Sequence, residues 1–165
     1  MVAIRPLEHR LRTVAEQMHA VIRLAYAQEA ALLQVHHFGP LGTTVEDLQR
    51  SAEFHLGAWA GDALLGVVSV GPDDEPDQLC IAKLVVHPAA QRQGIARALM
   101  QYALRRGEGA VFVVSTAAAN APALGLYREL GFVTYRHGSI GAEQLAMVKL
   151  RRPGSGGGLV QSEAT

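Results

Sequence analysis

The sequence has 165 residues, and its 15 lysines and arginines balance 15 aspartates and glutamates, so the formal charge is zero. The length predicts one domain, the hydrophobic share of 49% predicts a packed core, and the neutral sum argues against a broad basic surface for nucleic acid. The charge is divided along the chain, because residues 1–82 carry 5 basic and 11 acidic side chains whereas residues 83–165 carry 10 and 4. This division suggests that the first part receives a cation and the second part an anion.

Cysteine content and hydrophobic runs exclude several classes of protein. Cys80 is the only cysteine, so no disulfide can form within the chain, and no Cys/His cluster has zinc spacing, so we expect no metal. Charges begin before any apolar stretch at the N-terminus, which argues against a signal peptide. The longest uncharged run, residues 109–127, contains polar residues and is typical of a buried strand rather than a membrane span. We therefore expect a cytoplasmic protein without membrane contact.

The first half of the chain predicts two helices and three strands. Apolar residues recur at helical spacing from Thr13 onward, and Thr44 with Asp47 forms a capping pattern for a second, short helix. Gly61 and Asp62 form a favoured tight-turn pair between two apolar runs. In chain order, the predicted elements are a strand at 4–7, a helix at 13–33, a loop at 34–41, a helix at 44–50, and hairpin strands at 54–60 and 63–70. The acidic turn that follows, at 71–77, is expected to be solvated.

The second half of the chain alternates between strands and helices. The predicted strands are at 79–86, 110–115, 132–136 and 144–150, and the predicted helices are at 94–106 and 121–130. Asn120 is the expected N-cap of the last helix, and Pro122 suits its first turn, where a missing N–H costs little. The element order predicts an α/β (α+β) domain over residues 1–152, with one mixed sheet and helices on both faces. The glycine-rich residues 153–165 are predicted to be a flexible tail.

The densest chemical signal lies in residues 84–96, where a strand ends, a turn follows and a helix begins at Gly94. The first N–H groups of a helix have no internal partner and lie at the positive end of its dipole. Gly94 lets an anion approach the backbone closely, and Arg92 adds positive charge. The pattern indicates an anion site at a helix N-terminus, and its alternative is an ordinary tight turn with a solvated Arg92. The spacing fits neither a Walker loop nor a dinucleotide fingerprint.

Two blocks of this sequence resemble those of the GNAT acetyltransferase superfamily. The first block, with the core Gln/Arg-x-x-Gly-x-Gly/Ala, is matched by Gln91, Arg92, Gln93, Gly94, Ile95 and Ala96. The second, N-x-x-A-x-x-L-Y-x-x-x-G-F, is matched by Asn120, Ala123, Leu126, Tyr127, Gly131 and Phe132. The resemblance covers about residues 3–152, although the specific motifs lie within 84–132. It implies a single GNAT-like domain with a mostly antiparallel sheet of about seven strands.

The resemblance further implies that acetyl-CoA is the co-substrate and binds where the strands at 79–86 and 110–115 splay apart. Backbone groups of three strand residues would meet the pantetheine and the thioester carbonyl, namely Leu84, Val85 and Val86. The pyrophosphate would be held by the turn and the start of the helix, namely Gln91, Arg92, Gln93, Gly94, Ile95, Ala96 and Arg97. The thiol end would be lined by Asn120, Ala123 and Tyr127.

The implied reaction is direct transfer of an acetyl group from the thioester to a primary amine of a small molecule or a peptide. The Val86 backbone N–H is the implied donor to the developing oxyanion. Tyr127 matches the family's usual general acid for the leaving thiolate, and the alternative is a core aromatic. Because a thiol has a pKa of about 8.5, the thiolate leaves tolerably unaided. Loss of Tyr127 should therefore slow the reaction rather than abolish it.

The general base is left open by the sequence. An amine with a pKa of about 10.4 costs about 4.6 kcal/mol to neutralise at pH 7, so a base or a water chain should help. Many relatives carry a glutamate on the strand before the first block, where this chain has Cys80, Ala82 and Lys83. The candidates from elsewhere in the chain are Glu46, Glu53, His55, His36 and His37. Each of them is also explained as a surface or packing residue.

Several questions stay open at this point. Trp59 either packs in the core or lines the acceptor site, and the same site is one of two explanations for His36 and His37. The leading function is an N-acetyltransferase, and the alternative is a catalytically inactive acetyl-CoA-binding or sensing module, because the strand glutamate is missing. A third reading is a structural protein in which residues 91–96 are only a turn. The sheet edge near residues 144–150 is where a homodimer would pair.

Overall fold

The structure, a computed structural model, describes residues 1–154. Within them, the helices and strands are β1 (Ala3–Pro6), α1 (Arg12–Leu33), α2 (Val45–Arg50), β2 (Phe54–Ala60), β3 (Ala63–Pro72), β4 (Gln78–Val86), α3 (Ile95–Arg106), β5 (Val111–Ala117), α4 (Ala121–Glu129), β6 (Val133–Ile140) and β7 (Leu145–Arg152). The sheet has the strand order β1-β2-β3-β4-β5-β7-β6. The β4–β5 pair is parallel, and the other pairs with a described register are antiparallel. The predicted mixed, mostly antiparallel sheet of seven strands is confirmed. Of the predicted tail, only Pro153 and Gly154 lie within the described residues.

The chain divides into two compact units. The first comprises residues 1–70 and 83–103, and the second comprises residues 71–82 and the described residues from 104 onward. In the first unit, β1 pairs antiparallel with β2 and β2 with β3, and Ile4 of β1 lies opposite Ala58 of β2. The β2–β3 hairpin turns at the predicted Gly61-Asp62 pair, and its register shifts at a β-bulge next to Ala58.

The core of the first unit lies between α1 and one face of the sheet. The buried residues of α1 recur every three or four positions, as Ala15, Met18 and Ile22 illustrate. They pack in one cluster with Val67 of β3 and with Trp59, which is 8% exposed. Trp59 is thus a core residue, which is the first of its two predicted roles.

The opposite face of β3 carries α3. Gly66 precedes Val67 on β3, so the two residues point to opposite faces. A Cβ added at Gly66 would lie 3.1 Å from side-chain carbons of Ile95 and Leu99. Helices therefore lie on both faces of the sheet, as predicted.

In the second unit, β5 lies between β4 and β7. Val113 of β5 is opposite Cys80 on one side and Arg151 on the other. The helix α4 begins as predicted, because Asn120 Oδ1 accepts a hydrogen bond from the Ala123 N–H at 3.3 Å. This cap positions the second sequence block at the start of α4.

The acidic turn between β3 and β4 is only partly solvated as predicted: Asp74 and Asp77 are exposed, whereas Asp73 and Glu75 are bound to β6 and β7. Lys149 Nζ donates to Asp73 Oδ1 at 2.9 Å, and Glu75 accepts from Arg136 at 2.8 Å and from Arg151 at 3.0 Å. Burial opposes ionisation of Asp73, but the hydrogen bond and charge of Lys149 and the backbone N–H groups of Glu75 and Asp74 together outweigh it and lower the pKa of Asp73. The sequence conceals these partners because they lie about 60 to 76 positions away along the chain.

The predicted sheet edge near residues 144–150 is also wrong. The strand β7 pairs with β5 on one side and with β6 on the other. The edge is β6, whose Val133 and Ile140 are 67% and 51% exposed. The prediction failed because β7 comes last in the chain but returns between two strands that precede it.

Candidate functional site

The turn between β4 and α3 has two residues in left-handed backbone conformation. Arg92 has φ 63° and Gly94 has φ 79°, and they flank Gln93. A residue with a Cβ adopts this conformation at a cost of about 1–2 kcal/mol, which the contacts of the turn must offset at Arg92. Successive N–H groups in such turns converge on one point and form a concavity that suits an anion.

The space above Gly94 is open. A Cβ built there would have no heavy atom within 4 Å. The first intrahelical hydrogen bond of α3 runs from the Ala98 N–H to the Gly94 carbonyl at 3.0 Å. The N–H groups of Ile95 and Ala96 precede this bond and have no partner inside the helix. The turn can thus bring a diphosphate against the positive end of α3.

The side chain of Gln91 holds the turn in place. Its Nε2 donates to Gln28 Oε1 of α1 at 2.6 Å and lies 3.5 Å from the Val86 carbonyl. The first residue of the predicted pyrophosphate motif therefore connects the turn to α1 and to the end of β4. Its predicted role toward the ligand stays a prediction.

The last two residues of β4 have buried side chains. Val85 and Val86 are 4% and 9% exposed, and Ile95 at the start of α3 is 3% exposed. The His87 N–H donates to the Leu65 carbonyl at 2.7 Å, which fixes the point where β4 leaves the sheet. These burials are consistent with the predicted backbone roles of this segment.

In the second unit, the predicted thiol-end residues lie together on α4. Asn120 caps the helix, and Tyr127 is buried with 5% exposure. The ring of Tyr127 lies 5.8 Å from that of Phe132 between centroids, and the Phe132 N–H donates to the Tyr127 carbonyl at 3.0 Å. The second sequence block thus forms one compact structural feature in which the phenol is fixed by packing.

Three of the candidate bases lie on the surface. Glu46 follows the N-cap of α2 and lies 3.4 Å from Arg12, and both side chains are more than half exposed. A hydrogen bond to its own backbone N–H, together with the charge of Arg12, lowers the pKa of Glu46. His36 and His37 follow α1 and are exposed.

The other two candidates, Glu53 and His55, belong to a polar network inside the first unit. His55 Nδ1 lies 2.6 Å from Ser69 Oγ, and His55 Nε2 lies 3.2 Å from Ser51 Oγ. Ser51 Oγ donates to Glu53 Oε1 at 3.4 Å, and Glu53 Oε1 also accepts a hydrogen bond from Lys83 Nζ at 3.0 Å. The structure therefore joins two predicted candidates into one hydrogen-bonded chain across β2, β3 and β4.

Burial governs the protonation state of His55. The residue is 1% exposed, and desolvation, with a smaller effect of the nearby His9, lowers the pKa of His55 to about 4. The rings of His9 and His55 meet edge to face at 4.5 Å between centroids. His55 is consequently a neutral imidazole at physiological pH.

Comparison with known proteins identifies the family. A family model described as the acetyltransferase (GNAT) family matches residues 15–132 of this chain. The chain belongs to the GNAT acetyltransferase family. Its relative UPF0157 protein YqkA of Bacillus subtilis (strain 168) is 36% identical over 127 residues, which are 76% of this chain and 36% of that protein. The chain thus spans just over one third of the length of this curated relative.

Solved structures share the GNAT fold with this chain at low sequence identity. The ribosomal-protein-S18-alanine N-acetyltransferase of Escherichia coli has a TM-score of 0.72 at 18% identity, with 93% of this chain and 94% of that chain covered. The PaiA N-acetyltransferase of Thermoplasma acidophilum, in complex with coenzyme A, has a TM-score of 0.71 at 15% identity, with 93% and 99% covered. The IAA acetyltransferase of Bacillus cereus ATCC 14579 has a TM-score of 0.66 at 18% identity, with 92% and 99% covered.

Across residues 1–154, the helices lack the combination of length and apolar composition that crossing a membrane requires. In the same part of the chain, no three His, Cys, Asp or Glu side chains are grouped as ligands for a metal ion.

Sequence reasoning missed three members of the polar network of the GNAT domain. Ser51 and Ser69 carry no motif, and Lys83 was noticed only as the residue of a strand that lacks a glutamate. The predicted hairpin between β2 and β3 was the one signal for the partner of His55, because the position of its turn determines which β3 residue lies opposite His55. The β-bulge next to Ala58 then shifts that register by one position.

Proposed function

We propose that this GNAT protein is an acetyl-CoA-dependent N-acetyltransferase that moves an acetyl group directly from the thioester to a primary amine of a small molecule or a peptide. The observation that carries the proposal is the turn before α3, with left-handed Arg92 and Gly94 and with open space above Gly94. Backbone N–H groups in such a turn suit the diphosphate of acetyl-CoA. The solved structures compared above are named as acetyltransferases, and one of them is in complex with coenzyme A. The same turn would serve an inactive sensing module, and the names of these acetyltransferases favour the enzyme.

The residues of the first unit fit the co-substrate through their backbone. Acetyl-CoA would supply the acetyl group as an activated thioester. Since the side chains of Val85, Val86 and Ile95 are buried, these residues would contribute N–H and carbonyl groups. The pyrophosphate would be held by the remaining turn and helix residues, namely Gln91, Arg92, Gln93, Gly94, Ala96 and Arg97. Leu84 would join Val85 along the pantetheine.

Two groups would act on the reacting atoms. The Val86 N–H would donate a hydrogen bond to the thioester oxygen as negative charge develops on it. The Tyr127 hydroxyl would donate a proton to the departing sulfur, with Asn120 and Ala123 lining the thiol end. The packing of Tyr127 against Phe132 restricts the phenol to one position, which lowers the entropic cost of proton transfer.

The substitution Tyr127→Phe tests this chemistry. It removes one hydroxyl and keeps the ring that packs on Phe132. With acetyl-CoA and an active amine, thiol release should fall about 10- to 100-fold, because the thiolate then leaves without a proton. Full activity of Tyr127→Phe would remove Tyr127 from the mechanism and leave the proposed acetyl transfer intact.

A cytoplasmic location, and a homodimer in solution, stay predictions.

A further inference from the structure

The carboxylate of Glu53 is held from one side only. Its Oε1 accepts hydrogen bonds from Lys83 Nζ at 3.0 Å and from Ser51 Oγ at 3.4 Å. The Glu53 backbone N–H in turn donates to Ser51 Oγ at 3.1 Å. Ser51 Oγ thus bonds both the backbone and the Oε1 atom of Glu53, and the two bonds form a small ring. Among residues 1–154, no group donates to Oε2, and the side chain is 26% exposed. One oxygen is therefore fixed, and the other is open to an incoming donor.

This carboxylate is bound to β4 through Lys83, three residues before Val86, whose N–H is the proposed donor to the thioester oxygen. Its partner Lys83 lies on β4 two residues before Val85, so the two residues point to the same face of the strand. At about 3.3 Å per residue, their Cα atoms are about 7 Å apart. The ion pair thus brings an acidic group from the start of β2 to the strand that lacks a glutamate of its own.

We propose that Glu53 is the general base that binds the acceptor amine through Oε2 and takes its proton. This inference rests on the proposed function. The amine nitrogen forms a bond with the thioester carbonyl carbon, the carbon–sulfur bond breaks, and the sulfur takes a proton from Tyr127. The acceptor ammonium loses two protons in becoming an amide, one to Glu53 and one that restores Tyr127 through solvent. Glu53 then releases its proton to solvent, so the transfer yields one amide, one thiol and one free proton.

The remaining network explains why Glu53 rather than a neighbour fills this role. His55 has both ring nitrogens against serine hydroxyls and is 1% exposed, so it cannot meet an acceptor. Instead His55 positions Ser51, which positions Glu53. Lys83 neutralises the carboxylate while the amine is absent. His9 meets the His55 ring edge to face, and its Nε2 lies 2.8 Å from the Ser51 carbonyl oxygen. The charged and titratable groups around the carboxylate are therefore Lys83, His55 and His9.

The test compares Glu53→Gln with Glu16→Gln, using acetyl-CoA and the most active amine of a panel. Glu16 is an exposed carboxylate on α1 that pairs with Arg12, so its substitution makes the same chemical change away from the network. We expect Glu53→Gln to lower kcat/KM about 100-fold at pH 7 and Glu16→Gln to leave it within twofold. The deficit of Glu53→Gln should shrink as the pH rises from 7 to 9, because more of the amine is then neutral in solution. A merely structural role for Glu53 would leave this pH dependence unchanged.

A second variant covers the case in which Glu53→Gln leaves Lys83 unpaired and fails to fold. The double variant Glu53→Gln/Lys83→Met removes the ammonium as well and should show the same loss, with acetyl-CoA binding retained. Activity within twofold of the wild type at pH 7 in either folded variant would overturn the assignment of Glu53 and leave the proposed acetyl transfer intact. Wild-type protein that acetylates no amine would contradict the proposed function instead, and the inference about Glu53 would fall with it.

Discussion

His55 of β2 and Ser69 of β3 stand opposite each other in the hairpin, with His55 Nδ1 2.6 Å from Ser69 Oγ. Ser69 is completely buried, and His55 is 1% exposed. The hydroxyl thus satisfies one nitrogen of an imidazole that water cannot reach, and Ser51 satisfies the other. This pair anchors the network that ends at Glu53, and its burial makes the stability of the fold depend on pH.

The protein should lose stability in mild acid through His55. The pKa of His55 is lowered to about 4 in the folded state from 6.5, so between these values the unfolded chain binds a proton that the folded chain does not. Stability therefore rises with pH across this window and is lost as the pH falls from 6.5 toward 4. We expect a decrease of about 3 kcal/mol in the free energy of unfolding between pH 7 and pH 4 from this group. Urea unfolding at a series of pH values measures it.

The control for this prediction is His55→Gln, which keeps hydrogen-bonding capacity and removes the titration. Its unfolding free energy at pH 7 will be lower, but the slope against pH between 6.5 and 4 should be smaller than that of the wild type. Identical slopes in the two proteins would show that His55 does not titrate as described.

Removal of the Ser69 hydroxyl should destabilise the first unit. Ser69→Ala leaves a buried His55 nitrogen without its partner, at a cost of about 1–3 kcal/mol. Ser115→Ala is the matched control, because Ser115 lies on β5 with its side chain exposed, and we expect a change within about 0.5 kcal/mol. The measurement is urea unfolding at pH 7. Equal stability of Ser69→Ala and wild type would contradict the role of Ser69.

The turn before α3 can be tested separately from the chemistry by binding. Gly94→Glu places a negative side chain in the open space above the first amides of α3, and should weaken acetyl-CoA binding at least 100-fold. Gly61→Glu is the matched control, since Gly61 also has a positive φ, 58°, and no heavy atom within 4 Å of an added Cβ. It should lose similar stability, about 1–2 kcal/mol, and bind within twofold of the wild type. Calorimetry that finds both variants binding equally well would rule out a pyrophosphate site at this turn.

The ion pair between Asp73 and Lys149 should stabilise the second unit. The Asp73 side chain is 5% exposed and that of Lys149 15%, so Asp73→Asn leaves a largely buried ammonium without its counter-charge. We expect a loss of about 2 kcal/mol in unfolding free energy, because the desolvation cost of the Lys149 ammonium is then no longer offset by an opposite charge. The neighbouring Asp74 is exposed, and Asp74→Asn should change stability by less than about 0.5 kcal/mol. Thermal unfolding of the two variants at pH 7 gives the comparison, and equal midpoints would contradict the prediction.

Local sequence signals accounted for most of the fold. The Thr44 capping box of α2 and the Asn120 cap of α4 are present as predicted. Each depends on residues three positions apart, so neighbouring side chains decide the conformation. The helix beginning after Gly94 is equally local, because turn and helix start are encoded within one short segment.

The polar network could not be predicted from the hairpin turn alone. Ala60 lies opposite Ala63, and simple counting from that pair would place Val68 opposite His55. The β-bulge next to Ala58 inserts one residue into β3 and brings Ser69 there instead. A shift of one residue changes which face of the sheet each side chain occupies. The residue opposite His55 is therefore Ser69, with a hydroxyl group, and not the apolar Val68.

Part of the charge division along the chain is used in ion pairs within the fold, which the sequence did not predict. Asp73 and Glu75 belong to the acidic first part, yet they bind Lys149, Arg136 and Arg151 of the basic second part. The charges of these two carboxylates are therefore balanced by ion pairs within the fold. Ion pairing at this distance along the chain depends on the strand order, which local patterns do not contain.

Acetyl transfer by this protein is best tested by acetylation of a panel of primary amines and amine-bearing peptides by the full chain with acetyl-CoA, with products detected by mass spectrometry. We expect at least one amine to gain a single acetyl group together with stoichiometric thiol release, and both to be lost in Gly94→Glu. Tight binding of acetyl-CoA without acetylation of any amine in the panel would contradict the proposed acetyl transfer.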